Sequence, residues 1–160
     1  MKTYTKQLHP RHRHQCYCSR QAGSDYEWIV VYERYRRYDP RVVRVLDVGP
    51  EHIEMEHLDG WTLDNTQKLL SLDVSERRRI LNEVFDAYTH MLKWSDEAVD
   101  ERNVWMHNDY YPQNILYTSS GIRILDPEAF DVRPLDPVYN NSRYGKFFET
   151  FFHLMSTLSK

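Results

Sequence analysis

Apolar residues recur at helical spacing in some segments and alternate in others, and this contrast divides the chain. "DYEWIVVYERYRRYD", residues 25–39, sets Trp28, Val31, Tyr32 and Tyr35 three and four apart, with acidic residues near its start, where the helix dipole favours them. Asp39-Pro40 ends that helix, because the residue before a proline is pushed out of the α region. "SERRRILNEVFDAYTHMLKW", residues 75–94, is the clearest helix: Ile80, Leu81, Val84, Phe85, Tyr88, Met91 and Leu92 form one apolar stripe. "KTYTKQL", residues 2–8, alternates like a short strand. "RVVRVLDV" and "HIEMEHL" flank Gly49-Pro50 and predict a β-hairpin with Ile53 and Met55 on one face and Glu54 and Glu56 on the other. Asp59-Gly60 reads as a turn, and "NILYT" and "IRILD" flank Ser119-Ser120-Gly121 as a second hairpin. The tail "SRYGKFFETFFHLMSTL" predicts a last helix with a broad apolar face. The predicted order is strand, helix, hairpin, helix, polar loop, hairpin, helix, with no internal repeat or low-complexity linker.

A length of 160 residues suits one domain with a real core or two very small lobes. The composition, 41% hydrophobic with 14% aromatic residues, is that of a globular chain. A net charge of −3 removes any general electrostatic case for a nucleic-acid or anionic-membrane partner. No run approaches the length of a transmembrane helix, and the charged start "MKTYTKQLHPRHRH" lacks the apolar stretch of a signal peptide. Cys16 and Cys18, one residue apart, are poorly placed for a mutual disulfide, so a reducing, cytoplasmic compartment is expected.

Candidate chemistry concentrates in "HNDYYPQNILY", residues 107–117. This loop and "ILDPEAF" bracket the second hairpin, which places Asp109, Asn114 and Asp126 near one another. Oxygen donors at strand ends are what Mg²⁺ takes, and a further carboxylate beside the metal can accept a proton from a hydroxyl nucleophile. The plainer reading is a turn in which Asp109 and Asn114 cap backbone groups, with Asp126-Pro127 a strand-ending turn. In "HPRHRHQCYC", His12, His14, Cys16 and Cys18 pair up on an extended segment. Structural zinc sites space their cysteines by two to four residues, so a basic loop is the better reading there.

With these residues in view, "HNDYYPQNIL", a hairpin and "ILDPEAF" resemble the catalytic loop and metal-binding Asp of the protein-kinase-like superfamily, closest to its aminoglycoside phosphotransferase and choline kinase branch. The resemblance implies an α+β, two-lobed fold, with residues 1–57 as a reduced N-lobe and 58–160 as a C-lobe. It implies a phosphotransferase that moves the γ-phosphoryl of ATP to a hydroxyl of a small molecule, with Mg²⁺. Asp109 would be the base, His107 a brace for the loop, and Asn114 and Asp126 the Mg²⁺ ligands. "IEMEHLDGWTL" is similar to the hinge between lobes, where backbone groups at Glu56, His57 and Leu58 would bond adenine. Lys6 would contact the phosphates and Glu27 would pair with it, while "LDPVYN" at Leu135–Asn140 resembles an Asp-Pro segment that opens the next helix.

The sequence departs from the pattern in four places. Asn108 stands where the family has Gly or Arg, and Asp126 is followed by Pro-Glu, with Glu128 read as a solvated bystander rather than a third metal carboxylate. No Gly-x-Gly occurs, so the loop that covers ATP phosphates is expected to be missing, with Arg11, Arg13 and Arg20 as candidate substitutes. The segment between Asp126 and Asp136 is too short for an activation segment, which favours a small-molecule kinase over a protein kinase. The other reading this leaves is a nucleotide-binding regulator without turnover. Phe147, Phe148, Phe151 and Phe152 are read as core; an exposed patch there would make a homodimer interface.

Overall fold

The computed structural model describes residues 2–8, 28–97, 103–107, 109–134, 152 and 154–156. Glu27, the three candidate arginines, the His/Cys quartet, Asn108, the Leu135–Asn140 segment and Phe147, Phe148 and Phe151 lie outside the described residues.

Strand β1 (Thr3–Gln7) is followed by helix α1 (Trp28–Tyr38), β2 (Val45–Val48), β3 (His52–Glu56) and β4 (Gly60–Thr62). Helices α2 (Thr66–Ser71) and α3 (Val74–Glu97) come next, then β5 (Asn103–His107), β6 (Ile115–Thr118), β7 (Gly121–Ile124) and β8 (Phe130–Pro134). The class is α+β with small antiparallel sheets: β1–β3–β2, β4–β6–β7 and β5–β8. No helix among the described residues is long and apolar enough to cross a membrane.

The β2–β3 and β6–β7 hairpins form with the predicted strands, although β2 slips register between Val45 and Asp47. β3 is the central strand of its sheet; Ile53 and Met55 are buried, and Lys6 of β1 sits opposite Ile53. The β6–β7 turn uses Gly121 at φ 109°, a backbone region that side-chain-bearing residues avoid. Three features differ from expectation. Asp59-Gly60 is not a free turn, because Gly60 opens β4, which pairs with β6 some way along the chain. β5 and β8 pair across the loop and the second hairpin, joining His107 to Phe130 in register. Short α2, capped by Asn65 Oδ1 accepting the Lys68 N–H at 3.1 Å, carries too few apolar residues to announce itself.

α3 begins at an Asp73 cap, whose Oδ1 accepts the Glu76 N–H at 2.8 Å, and buries the stripe Ile80, Leu81, Val84, Tyr88 and Met91. Phe85, counted with that stripe, is 48% exposed; one residue on from Val84 it sits about 100° around the helix, off the buried face. Of the tail aromatics only Phe152 is described, and it is exposed, while Leu154 joins the core.

One apolar cluster runs from α1 through α3 to β8. Its centre is aromatic: the Tyr35 ring lies 4.9 Å from Trp94 and 5.1 Å from Phe130, and Tyr32 lies 6.1 Å from Phe130. The stretch 41–43 runs alongside β7, with the Val43 N–H on the Ile124 carbonyl (2.8 Å) and the Ile124 N–H on the Arg41 carbonyl (2.9 Å). This contact ties the β1–β3–β2 sheet to the hairpin that leads to Asp126.

Candidate functional site

The polar loop is fastened at three points. Tyr110 is buried and donates its hydroxyl to the Val84 carbonyl of α3 at 3.1 Å. His107, only 2% exposed, faces the Leu125 carbonyl with Nε2 at 3.0 Å and receives the Asp109 N–H on Nδ1 at 3.2 Å. One ring nitrogen must therefore carry a proton and the other must not, and burial pushes the imidazole pKa below its ordinary value. The His107 ring also stands edge-on to Phe130 at 4.9 Å, so the aromatic core sets its position. His107 thus links the start of the loop to the residue just before Asp126 through hydrogen bonds.

Pro112 opens a 3-10 turn to Asn114, closed by the Asn114 N–H on the Tyr111 carbonyl at 2.9 Å. This aims the Asn114 amide nitrogen at Asp109, where it donates to Oδ2 at 2.7 Å and to the backbone carbonyl at 2.9 Å. The Leu125 N–H reaches back to the Asn114 carbonyl at 2.8 Å, so Asp126 follows directly beside Asn114. Asp126 adopts φ 64°, ψ 59° and is the only non-glycine residue with positive φ among the described residues. Aspartate accepts this conformation at a cost of about 1–2 kcal/mol, the kind of strain that collects at functional positions.

Lys6 enters from β1. Its Nζ contacts Asp126 Oδ1 and lies 2.5 Å from Glu128 Oε1. Burial works against the ammonium charge, but Glu128 and Asp126 outweigh it and the Lys6 pKa is raised. Glu128 is not a solvated bystander: it is 7% exposed and its Oε2 has no hydrogen-bond partner. The short turn after Asp126, with Pro127 at its first position, folds Glu128 inward beneath α1.

A cleft of about 290 Å³ lies between the β1–β3–β2 sheet and the β6–β7 hairpin. Lys6, Asn114 and Asp126 line it, as do Glu56, His57 and Leu58 at the end of β3. Asp109 and His107 are next to this lining: Asn114 donates to Asp109, and the Asp109 N–H donates to His107. Six of the nine residues singled out in the sequence therefore share one cleft, two support it, and Glu27 lies outside the described residues.

The backbone donors at the hinge-like edge are partly committed. The Glu56 N–H bonds the Arg44 carbonyl (2.9 Å) and the His57 N–H bonds the Lys2 carbonyl (3.1 Å). The Glu56 carboxylate is held by the Arg44 N–H at 2.8 Å and by Arg123 Nη2 at 2.6 Å, while Arg123 Nε donates to the Arg41 carbonyl at 3.1 Å. Arg123 thus clamps the cleft edge to β7, a role that its place in an alternating strand does not reveal. Tyr4 also lines the cleft with its ring half exposed; its spacing of two from Lys6, on one face of β1, is the signal that could have found it.

Among the described residues no three or more His, Cys, Asp or Glu are grouped as a metal site. The local oxygen donors are the Asp126 and Glu128 carboxylates and the Asn114 amide oxygen, left over once its nitrogen has turned to Asp109. An all-oxygen set with one unpartnered buried carboxylate oxygen fits a hard cation such as Mg²⁺. Comparison of the chain with protein-family models and with curated protein sequences finds no match to either.

Proposed function

We propose that the protein is a Mg²⁺-dependent phosphotransferase with a protein-kinase-like, two-lobed arrangement, which transfers the γ-phosphoryl group of ATP to a hydroxyl of a small molecule. The observation that carries this reading is the cleft that gathers Lys6, Asn114, Asp126 and the end of β3, segments far apart in the sequence. Asp109 orients the acceptor hydroxyl and takes its proton, with Asn114 holding the carboxylate in place. Lys6 contacts the α- and β-phosphates, and Asn114 and Asp126 hold the metal. Mg²⁺, when bound, neutralises charge on the phosphates and on the transferring group. The apolar lining from Val43, Leu116 and Leu125 suits a planar base, and because the Glu56 and His57 N–H groups are committed, adenine recognition rests on Leu58 and on carbonyls of this edge.

The test is phosphate transfer from Mg·ATP across a panel of hydroxyl compounds, with ADP release as the readout. Asp109→Asn is expected to lower the rate by at least about 10²-fold, the usual scale for losing a general base. An equal rate in that variant would refute the mechanism. A second reading, a nucleotide-binding regulator, draws on Lys6 being engaged by Asp126 and Glu128. Thermal stabilisation by Mg·ATP with no turnover on any acceptor would favour it.

A further inference from the structure

Two carboxylates converge on one point beside the cleft, and that point carries an ammonium. Lys6 Nζ contacts Asp126 Oδ1 and is 2.5 Å from Glu128 Oε1. Glu128 is more than nine-tenths buried and its second oxygen meets no donor. A buried carboxylate in this state depends on a neighbouring cation, because desolvation of its charge is otherwise uncompensated. Asp126, in its left-handed backbone conformation, begins the turn that carries Glu128, so local backbone structure brings the two carboxylates together. Lys6 reaches them from β1 on a long unbranched stem; it lines the cleft, and its side chain is about one-third exposed.

We propose that Asp126 and Glu128 form a cation-exchange site gated by Lys6. In the free protein the Lys6 ammonium is the resident cation, and a divalent cation gains the two carboxylates only when Lys6 swings away. A polyphosphate in the cleft offers Lys6 an alternative anionic partner and so opens the gate. The divalent cation and the polyphosphate therefore bind cooperatively, each raising the affinity of the other by the same factor. This inference rests on the reading of the cleft as a nucleotide site, but its first test needs no nucleotide.

The probe is Mn²⁺ alone, with free Mn²⁺ followed by electron paramagnetic resonance in the presence of the full chain. While Lys6 holds the carboxylates, the apparent affinity is reduced by the fraction of molecules in which they are free. Wild type is expected to bind Mn²⁺ weakly, and Lys6→Met and Lys6→Gln to bind it at least about tenfold more tightly, as a gate shut nine-tenths of the time requires. Lys6→Arg keeps a cation in place and is expected to stay at the wild-type level. Adding Glu128→Gln or Asp126→Asn to Lys6→Met is expected to abolish the gain. Cooperative urea unfolding qualifies each variant as folded, and Lys6→Gln carries the test if Lys6→Met does not fold. The proposal is overturned if the neutral Lys6 variants bind Mn²⁺ no better than wild type, or if the gain survives removal of either carboxylate, which would mark adventitious binding. A gain in Mn²⁺ binding together with no nucleotide binding in wild type would uphold the gated site while removing the nucleotide reading.

Discussion

Replacing Asp39 with alanine tests the physical account of how the two sheets are joined. Asp39 follows α1 and is buried. Its carboxylate accepts the Arg41 backbone N–H at 3.0 Å, Arg41 Nε at 2.9 Å, Arg41 Nη2 at 2.6 Å and the Tyr35 hydroxyl at 3.2 Å. Arg41 is thereby held where its carbonyl can receive the Ile124 N–H, and a second ion pair ties it to Asp86 of α3. Removing one member of a buried ion pair costs about 3–5 kcal/mol. Arg41 keeps Asp86 and some contact with solvent, so the lower end, about 3 kcal/mol, is expected for Asp39→Ala. With a urea slope of about 2 kcal/mol/M, the unfolding midpoint should fall by roughly 1.5 M. The pH dependence follows from the same contacts. Burial opposes ionisation of Asp39, but the hydrogen bonds and charge of Arg41 outweigh it and the folded-state pKa is lowered. On acidification the unfolded chain takes up the proton first, so the contribution is complete above an unfolded value of about 3.9 and disappears as pH falls through the lower folded value. The stability gap between wild type and Asp39→Ala should stay level from pH 7 to 5 and narrow below about pH 4. A loss under about 1 kcal/mol at pH 7, the worth of a surface pair, would refute the reasoning. So would a gap that does not narrow in acid.

Three further outcomes are expected. Phe130→Ala empties the centre of the aromatic cluster and should cost about 3–5 kcal/mol in urea unfolding, and a loss under about 1 kcal/mol would mean that the neighbouring rings close the gap. Gly121→Ala adds a Cβ 2.7 Å from Glu83 Oε2 at φ 109°, and should lower stability by about 1–3 kcal/mol in thermal unfolding; no loss would mean that the turn relaxes freely. Burial lowers the His107 pKa, so below an unfolded value of about 6.5 the unfolded chain binds the extra proton and wild-type stability should decline toward the folded value. His107→Asn should lose that part of the decline, and identical pH profiles for the two proteins would contradict a buried neutral imidazole.

Local periodicity made α1, α3 and the two hairpins legible, since a helix stripe or a tight turn is written in residues that are neighbours along the chain. The pairings β4–β6 and β5–β8 were not legible, because their strands meet partners far away and carry short patterns that also read as loop. At the site, Asp109, Asn114 and Asp126 were legible as a motif, and their closeness followed from one hairpin. The partners of Lys6 were not: the expected Glu27 lies outside the described residues, while the carboxylates it meets are 120 and 122 positions away.

The amino-acid sequence by itself determined which segments are helical or extended, where the turns fall, and which oxygen-bearing residues surround the second hairpin. These are consequences of steric and hydrophobic preferences that act over a few residues. Tertiary structure decided the rest: that Glu128 is buried with an unmet oxygen, that His107 is locked neutral between Asp109 and Leu125, and that Lys6 sits between two carboxylates. Charge, burial and hydrogen bonding depend on what lies across space, and a side chain's electrostatic state exists only once the packed neighbours that exclude water are in place.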